Sequence, residues 1–290
     1  MRQTGLAALF FALALAGAPA LAQEPSAMCA DAFEAMERND DAAVVTALEE
    51  CLAREALDPQ AEVMVYAEMA SALNRLDRPE EALRAFSFAF AIADTQNAEI
   101  THPMIYRNRG IAFAATENFD RALSDLLRAR ASLPDDALLL TNLGYVYSQT
   151  DRAAEAVEVF DTLIRSAPDW AGSWLNRSSA FLDLGMIGAA VSDARRAVEL
   201  APQDGSALNM LCWTLIQDER APTALPICEQ AVEAEPDNGS IVHSLAAALE
   251  ATGETRRAYR LYAEAHELSP DDPEINADYE RTRSRNRRRP

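Results

Sequence analysis

Four cysteines and three histidines are the side chains in this 290-residue chain best suited to redox, metal or nucleophilic chemistry. The cysteines are Cys29, Cys51, Cys212 and Cys228. With no Cys-x-x-Cys among them, neither a thioredoxin-like redox pair nor a c-type haem attachment is indicated. A disulfide needs Cα atoms within about 7 Å. Helices folding back as hairpins near residues 40 and 220 would set Cys29 beside Cys51 and Cys212 beside Cys228, which selects these pairings from the three available. His102, His243 and His266 lack the ligand spacing of a zinc site. No Gly-x-Ser-x-Gly, His-Glu-x-x-His, phosphate loop or dinucleotide fingerprint occurs. Carboxylate pairs such as Glu49-Glu50, Glu80-Glu81 and Asp271-Asp272 fall at helix faces or starts, where they are solvated or favour the helix dipole. The expectation is a chain with no catalytic activity, no metal and no cofactor.

The charge balance narrows the partners. All 26 basic residues are arginine, against 46 acidic ones, for a net charge of −20. That balance argues against general nucleic-acid binding, which needs a basic surface. Hydrophobic residues make up 49% of the chain, enough for a sizeable core. Residues 1–22 combine Arg2, the apolar run Leu6–Ala16 and the small residues Ala20 and Ala22, which predicts an export signal cleaved before Gln23. The run is too short for the ~20 residues that span a bilayer. The mature protein is therefore expected to be exported, and periplasmic in a bacterium. With Arg2 and the six arginines of 281–290 set aside, 19 basic residues face all 46 acidic ones between 23 and 280, a net −27. An acidic body thus runs into a basic tail.

The elements that must position these residues are legible in a ruler. Pro134, Pro168, Pro202, Pro236 and Pro270 stand 34 residues apart without a slip. Counting repeats from 103, 137, 171, 205 and 239, position 8 reads Gly110, Gly144, Ser178, Cys212, Ala246, and position 20 is alanine in all five. Large residues alternate with them, Tyr106, Leu140, Trp174, Leu208 and Val242 at position 4 and Phe113, Tyr147, Phe181, Leu215 and Leu249 at position 11. Small residues let antiparallel helices approach while the large ones fill the adjoining holes. Leu140-x2-Leu143-Gly144-x2-Tyr147, then Ala156, Phe160 and Pro168, resembles the tetratricopeptide repeat (TPR) family.

The resemblance implies an all-α fold, a right-handed TPR α-solenoid of antiparallel helix pairs. Six units are expected over 63–272: 63–96, 103–136, 137–170, 171–204, 205–238 and 239–272, with an insertion at Asn97–His102. Residues 23–62 read as a capping helical hairpin turning at Asn39-Asp40-Asp41. Over 273–290, Asp272 caps a last helix reaching about Tyr279, and the arginine tail beyond is expected to be disordered. Pro226 falls inside the second helix of its unit, which predicts a late start with Thr223 as N-cap.

In the TPR family the first helix of each unit lines a concave face, with positions 2, 5, 9, 12 and 13 inward and position 6 at the border. Here Arg75 precedes Arg107 and Asn108, then Tyr145 and Gln149. Leu175, Asn176 and Ser179 follow, then Asn209, Trp213 and Ile216, and finally His243. This nearly uncharged set suits an extended peptide or a partner helix, with Tyr145 and Trp213 as anchors and asparagines on the peptide backbone. Arg107 and Asn142 fall where two members of the carboxylate clamp stand in some TPR cochaperones, but Ile111 replaces a required asparagine and no clamp is expected. The functional expectation is a non-catalytic scaffold that binds a protein or peptide in the cell envelope, serving assembly or quality control. The alternative is an architectural or accessory subunit of an envelope enzyme complex, in cell-wall or cytochrome assembly, using an acidic convex face.

Overall fold

The computed structural model describes residues 27–54, 56–96 and 98–287, so the expected export signal at 1–22 lies outside the described residues. All the regular structure among them is helical. It comprises α1 (Ala27–Glu37), α2 (Asp41–Arg54), α3 (Pro59–Arg75), α4 (Pro79–Gln96), α5 (Pro103–Ala115) and α6 (Phe119–Arg130). There follow α7 (Ala137–Gln149), α8 (Ala153–Ser166), α9 (Ala171–Asp183), α10 (Ile187–Leu200) and α11 (Gly205–Gln217). The last four are α12 (Ala221–Ala234), α13 (Gly239–Ala251), α14 (Thr255–Leu268) and α15 (Pro273–Arg287). The chain is an all-α solenoid of antiparallel helix pairs. It forms two compact units, one ending at Val146 and the other starting at Tyr147.

The proline ruler has a mechanical origin. Each proline is the second residue of a turn closed by a backbone hydrogen bond: Asp136 to Leu133, Trp170 to Ala167, Asp204 to Ala201, Asn238 to Glu235 and Asp272 to Ser269. Proline's fixed φ suits that position. The turn's last residue is then the N-cap of the next helix. Asp136 Oδ1 accepts from Leu139 N at 2.8 Å, and Asp204 Oδ1 from Ala207 N at 2.8 Å. Asp272 Oδ1 takes both Glu274 N and Ile275 N. Trp170 is the exception, with no side-chain cap.

The turns within hairpins follow a second rule. In each, an amide bonds back five residues, as Asn118 N does to Phe113 O at 2.8 Å and Arg220 N to Leu215 O at 2.8 Å. This Schellman closure needs one residue with positive φ. Gly185 and Gly253 supply it in two turns, while Asn39, Asp77, Glu117, Asp151 and Glu219 supply it elsewhere, at φ between 54 and 58°.

Position 8 sets the closeness of each pair in a different way. A Cβ on Gly110 would lie 2.8 Å from Leu126 Cγ and 3.2 Å from the Ala122 carbonyl, so only glycine lets α5 and α6 pack at this spacing. Ser178 Oγ donates to the Ala190 carbonyl at 2.8 Å, joining α9 to α10. Cys212 faces Cys228 between α11 and α12. The first unit gathers Val44, Leu48, Val65 and Phe86 in its core, and the second gathers Leu215, Leu249, Ala258 and Tyr262.

Three expectations are corrected. Helix α12 does not start late: it begins at Ala221 and keeps Pro226 inside. Pro226 follows Pro222 by four residues, so the N–H it lacks leaves only the Pro222 carbonyl without its helical partner. Helix α3 begins at Pro59, ahead of residue 63, because Asp58 caps Gln60 N and Ala61 N. Helix α15 runs through the expected disordered tail to Arg287. Its arginines have partners: Arg281 and Arg285 reach Glu250, and Arg283 pairs with Glu280.

Candidate functional site

In the first unit the expected polar contacts of the inner face turn mostly inward. Arg107 Nη1 donates to Asp136 Oδ2 at 2.7 Å and its Nε to Asn108 Oδ1 at 3.0 Å, leaving the side chain 11% exposed. Asn108 Nδ2 donates to Ser71 Oγ at 2.8 Å, and its backbone carbonyl accepts from Asn74 Nδ2 at 2.7 Å. These bonds tie α5 to α3 and hold the turn before α7. Arg75 bridges Asp41 and Glu68. Burial pushes the Glu68 carboxyl above its ordinary range, with Arg75 opposing. Asn142 donates to the Leu138 carbonyl of its own helix.

Two large side chains on that face remain open to water. Tyr145 is 45% exposed and Leu138 50%, one heptad apart on α7. Thr141 lies half-buried between them, and the Phe119 ring meets Tyr145 edge-on at 6.2 Å. Side chains spaced i and i+7 share one helix face.

In the second unit Gln149 is exposed, and Leu175, Asn176, Ser179, Asn209, Trp213 and Ile216 are half-buried. Among the described residues Asn209 Oδ1 is shielded from water and has no hydrogen-bond partner. His243 does not belong to an open groove, contrary to the expectation. It is 5% exposed, with Nε2 3.0 Å from Asp278 Oδ2 and its ring between Trp213 at 6.1 Å and Tyr262 at 5.4 Å. Helix α15 lays Asp278 over it. Trp213 therefore presents only part of its ring, the other part facing His243.

Sequence reasoning missed two arrangements. The first is a node at Glu250, which accepts from Tyr262 Oη at 3.1 Å, from both Arg281 nitrogens Nη1 and Nη2 at 2.6 and 2.7 Å, and from Arg285 Nη1 at 2.9 Å. Chiefly through Arg281, these donors hold the Glu250 carboxyl below its ordinary range, while burial pushes the Tyr262 hydroxyl above its own. The second is a pair of forked ion pairs between repeat positions 7 and 23. Arg109 grips Asp125 through Nε and Nη2 at 2.6 and 2.9 Å, and Arg177 grips Asp193 the same way at 2.7 and 2.9 Å. The other units from 137 onward put apolar partners there: Leu143 and Val159, Leu211 and Ile227, Leu245 and Leu261. That the two positions are charged together or apolar together was the available signal.

The cysteine pairs stand as expected in distance, Cys29 and Cys51 with Cα atoms 5.4 Å apart, Cys212 and Cys228 at 5.1 Å. Among the described residues no helix is long and apolar enough to cross a membrane.

Helical hairpins capped and turned by recurring rules define a helical-repeat protein, whose usual role is to hold other proteins rather than to transform a substrate. The chain belongs to the tetratricopeptide repeat family: two tetratricopeptide repeat models match it, over residues 107–169 and 165–282. Such repeats make it a protein–protein interaction scaffold. Protein FlbA of Caulobacter vibrioides is 30% identical over 132 residues, covering 45% of this chain and 21% of that protein, so the matched segment spans about a fifth of that relative's length. A tetratricopeptide repeat protein from Parabacteroides merdae superposes with a TM-score of 0.66 at 14% identity, covering 88% of this chain and 97% of that one. A thermophilic TPR protein of Thermus thermophilus gives 0.54 at 22% identity over 62% of this chain and 98% of that one. At these identities the two structures speak for the fold alone.

Proposed function

We propose that the protein is a non-catalytic envelope scaffold that seats a partner segment against the inner face of its first helices, anchored on Tyr145 and Leu138. The observation that carries this reading is their exposure at inward repeat positions, in a face whose polar neighbours Arg107 and Asn108 are already bound internally. An exposed aromatic beside an aliphatic is the anchor type that apolar partner residues use. In the second unit Trp213, with Leu175, Asn176 and Ser179, offers a polar-to-aromatic strip of the same kind. Two cysteine pairs at disulfide distance support an exported, periplasmic location, since disulfides persist in oxidising compartments.

A photocrosslinking side chain at position 145 tests the reading in cells. The expected result is one dominant partner, lost when Leu138 is changed to Ser and absent when the crosslinker replaces exposed Glu233 on α12. Equal capture from both positions would refute it. A second reading, an architectural or accessory subunit of an envelope complex docking by its outer helices, is favoured by the internal pairing of Arg107, Asn108 and His243. Capture from position 233 alone would select it.

A further inference from the structure

We propose that the outer cavity between α4 and the α5–α6 hairpin binds the carboxylate of an acidic side chain from a partner protein. The cavity holds about 500 Å³ and is lined by Ser87, Phe90 and Asp94 of α4, Arg109 and Phe113 of α5, and Arg121, Ser124 and Asp125 of α6. That volume suits a side chain with part of its backbone.

The inference comes from comparing two repeats of the same chain. Arg109 and Arg177 occupy repeat position 7, and each uses Nε and Nη2 to grip the aspartate at position 23. In the later repeat the remaining nitrogen, Arg177 Nη1, takes a second carboxylate, that of Asp161 at position 25 of the preceding repeat. In the earlier one the residue at position 25 of the preceding repeat is Ser87. Its hydroxyl donates to the Leu83 carbonyl, and among the described residues Arg109 Nη1 has no hydrogen bond. The cavity lies where the missing acid would stand.

The site is preformed. The Arg109 guanidinium carbon sits 3.4 Å from the Phe90 ring centroid, and the fork to Asp125 fixes its plane. A guanidinium held against a ring and locked on one edge loses little freedom when a carboxylate takes the other. Arg121, 5.6 Å from the Phe113 centroid, makes no ion pair among the described residues and adds a second positive charge. Asp94 is the opposing charge in the lining, since Asp125 is already neutralised by Arg109.

The test uses the full chain and two blocked tripeptides, acetyl-Ala-Glu-Ala-amide and acetyl-Ala-Gln-Ala-amide. They are titrated into the millimolar range while nitrogen-15 resonances of the backbone and arginine side chains are followed. The expected result is movement of the Ser87, Phe90 and Arg109 signals with the glutamate peptide and none with the glutamine peptide. Ser87→Asp supplies the internal acid that Asp161 provides elsewhere; it weakens the glutamate peptide about tenfold or more and raises the melting temperature. Asp94→Asn tightens binding, and Arg121→Gln weakens it should Ser87→Asp disturb the fold. Equal shifts with both peptides, no shifts with either, or undiminished binding by a folded Ser87→Asp chain would each overturn the proposal. None of these readouts depends on Tyr145 or Leu138.

Discussion

Arg177→Leu removes the cation from the buried ion pair of α9 and α10 while leaving Asp193 in place. The Asp193 side chain is 6% exposed and receives both Nε and Nη2 of Arg177. Removing one partner of a buried, hydrogen-bonded pair costs about 3–5 kcal/mol, because the other charge is left without compensation. Asp161, the third member, is 41% exposed and regains water, so its lost contact adds little. The expected loss is therefore at the low end, about 3 kcal/mol. Adding Asp193→Leu recreates the apolar pairing that Leu211 and Ile227 make in the next repeat, and restores stability to within about 1 kcal/mol of the parent. Urea unfolding at fixed disulfide state measures both, with Trp174 as the reporter, since its ring lies 5.0 Å from the Arg177 guanidinium carbon. A single variant that loses less than about 1 kcal/mol, or a double variant no better than the single, would refute the reasoning.

Three further outcomes follow from the geometry. Glu117→Gly and Glu219→Gly, at φ of 58°, each stabilise by about 0.5–1 kcal/mol by relieving left-handed strain. A lower urea midpoint in both would contradict this. Preventing the Cys212–Cys228 bond by Cys228→Ala costs about 3 kcal/mol for a loop of this length, seen as a lower melting temperature that reductant does not reduce further once Cys29 and Cys51 are also alanine. Glu250 has its folded pKa depressed, chiefly by Arg281, so its contribution is present above the unfolded value and is lost as pH falls through the folded one. Acidification therefore raises hydrogen exchange in α15 before it does so in α13, and Glu250→Gln removes that pH dependence; an unchanged profile in the variant would count against the node.

The ruler of prolines and the small residue at position 8 were readable because each serves a local rule, a turn closing into an N-cap or a close helix contact. The cysteine pairings were readable for the same reason, since a hairpin fixes which residues lie opposite. Other features resisted because they depend on residues far apart in sequence. Nothing near His243 announces that Asp278 of α15 covers it, and nothing in the arginine run announces Glu250 as its partner. Arg107 looked available at an inward position but is held by Asp136, a residue whose capping role was the more visible one. Pro226 was not legible as a mid-helix residue because one hydrogen bond lost in the second turn does not by itself move a helix start.

Helix α15 begins where the ruler would open another unit, yet it carries little for a following hairpin to pack on. Ile275 is already buried and Tyr279 lies against His266 and Tyr259, while most of residues 273–285 is charged or amide. Repeat arrays that expose an apolar seam at their last helix can concatenate with copies of themselves into filaments. On α15 arginines and carboxylates cover that surface instead, a composition that disfavours such stacking, and their pairs to Glu250 brace the preceding hairpin.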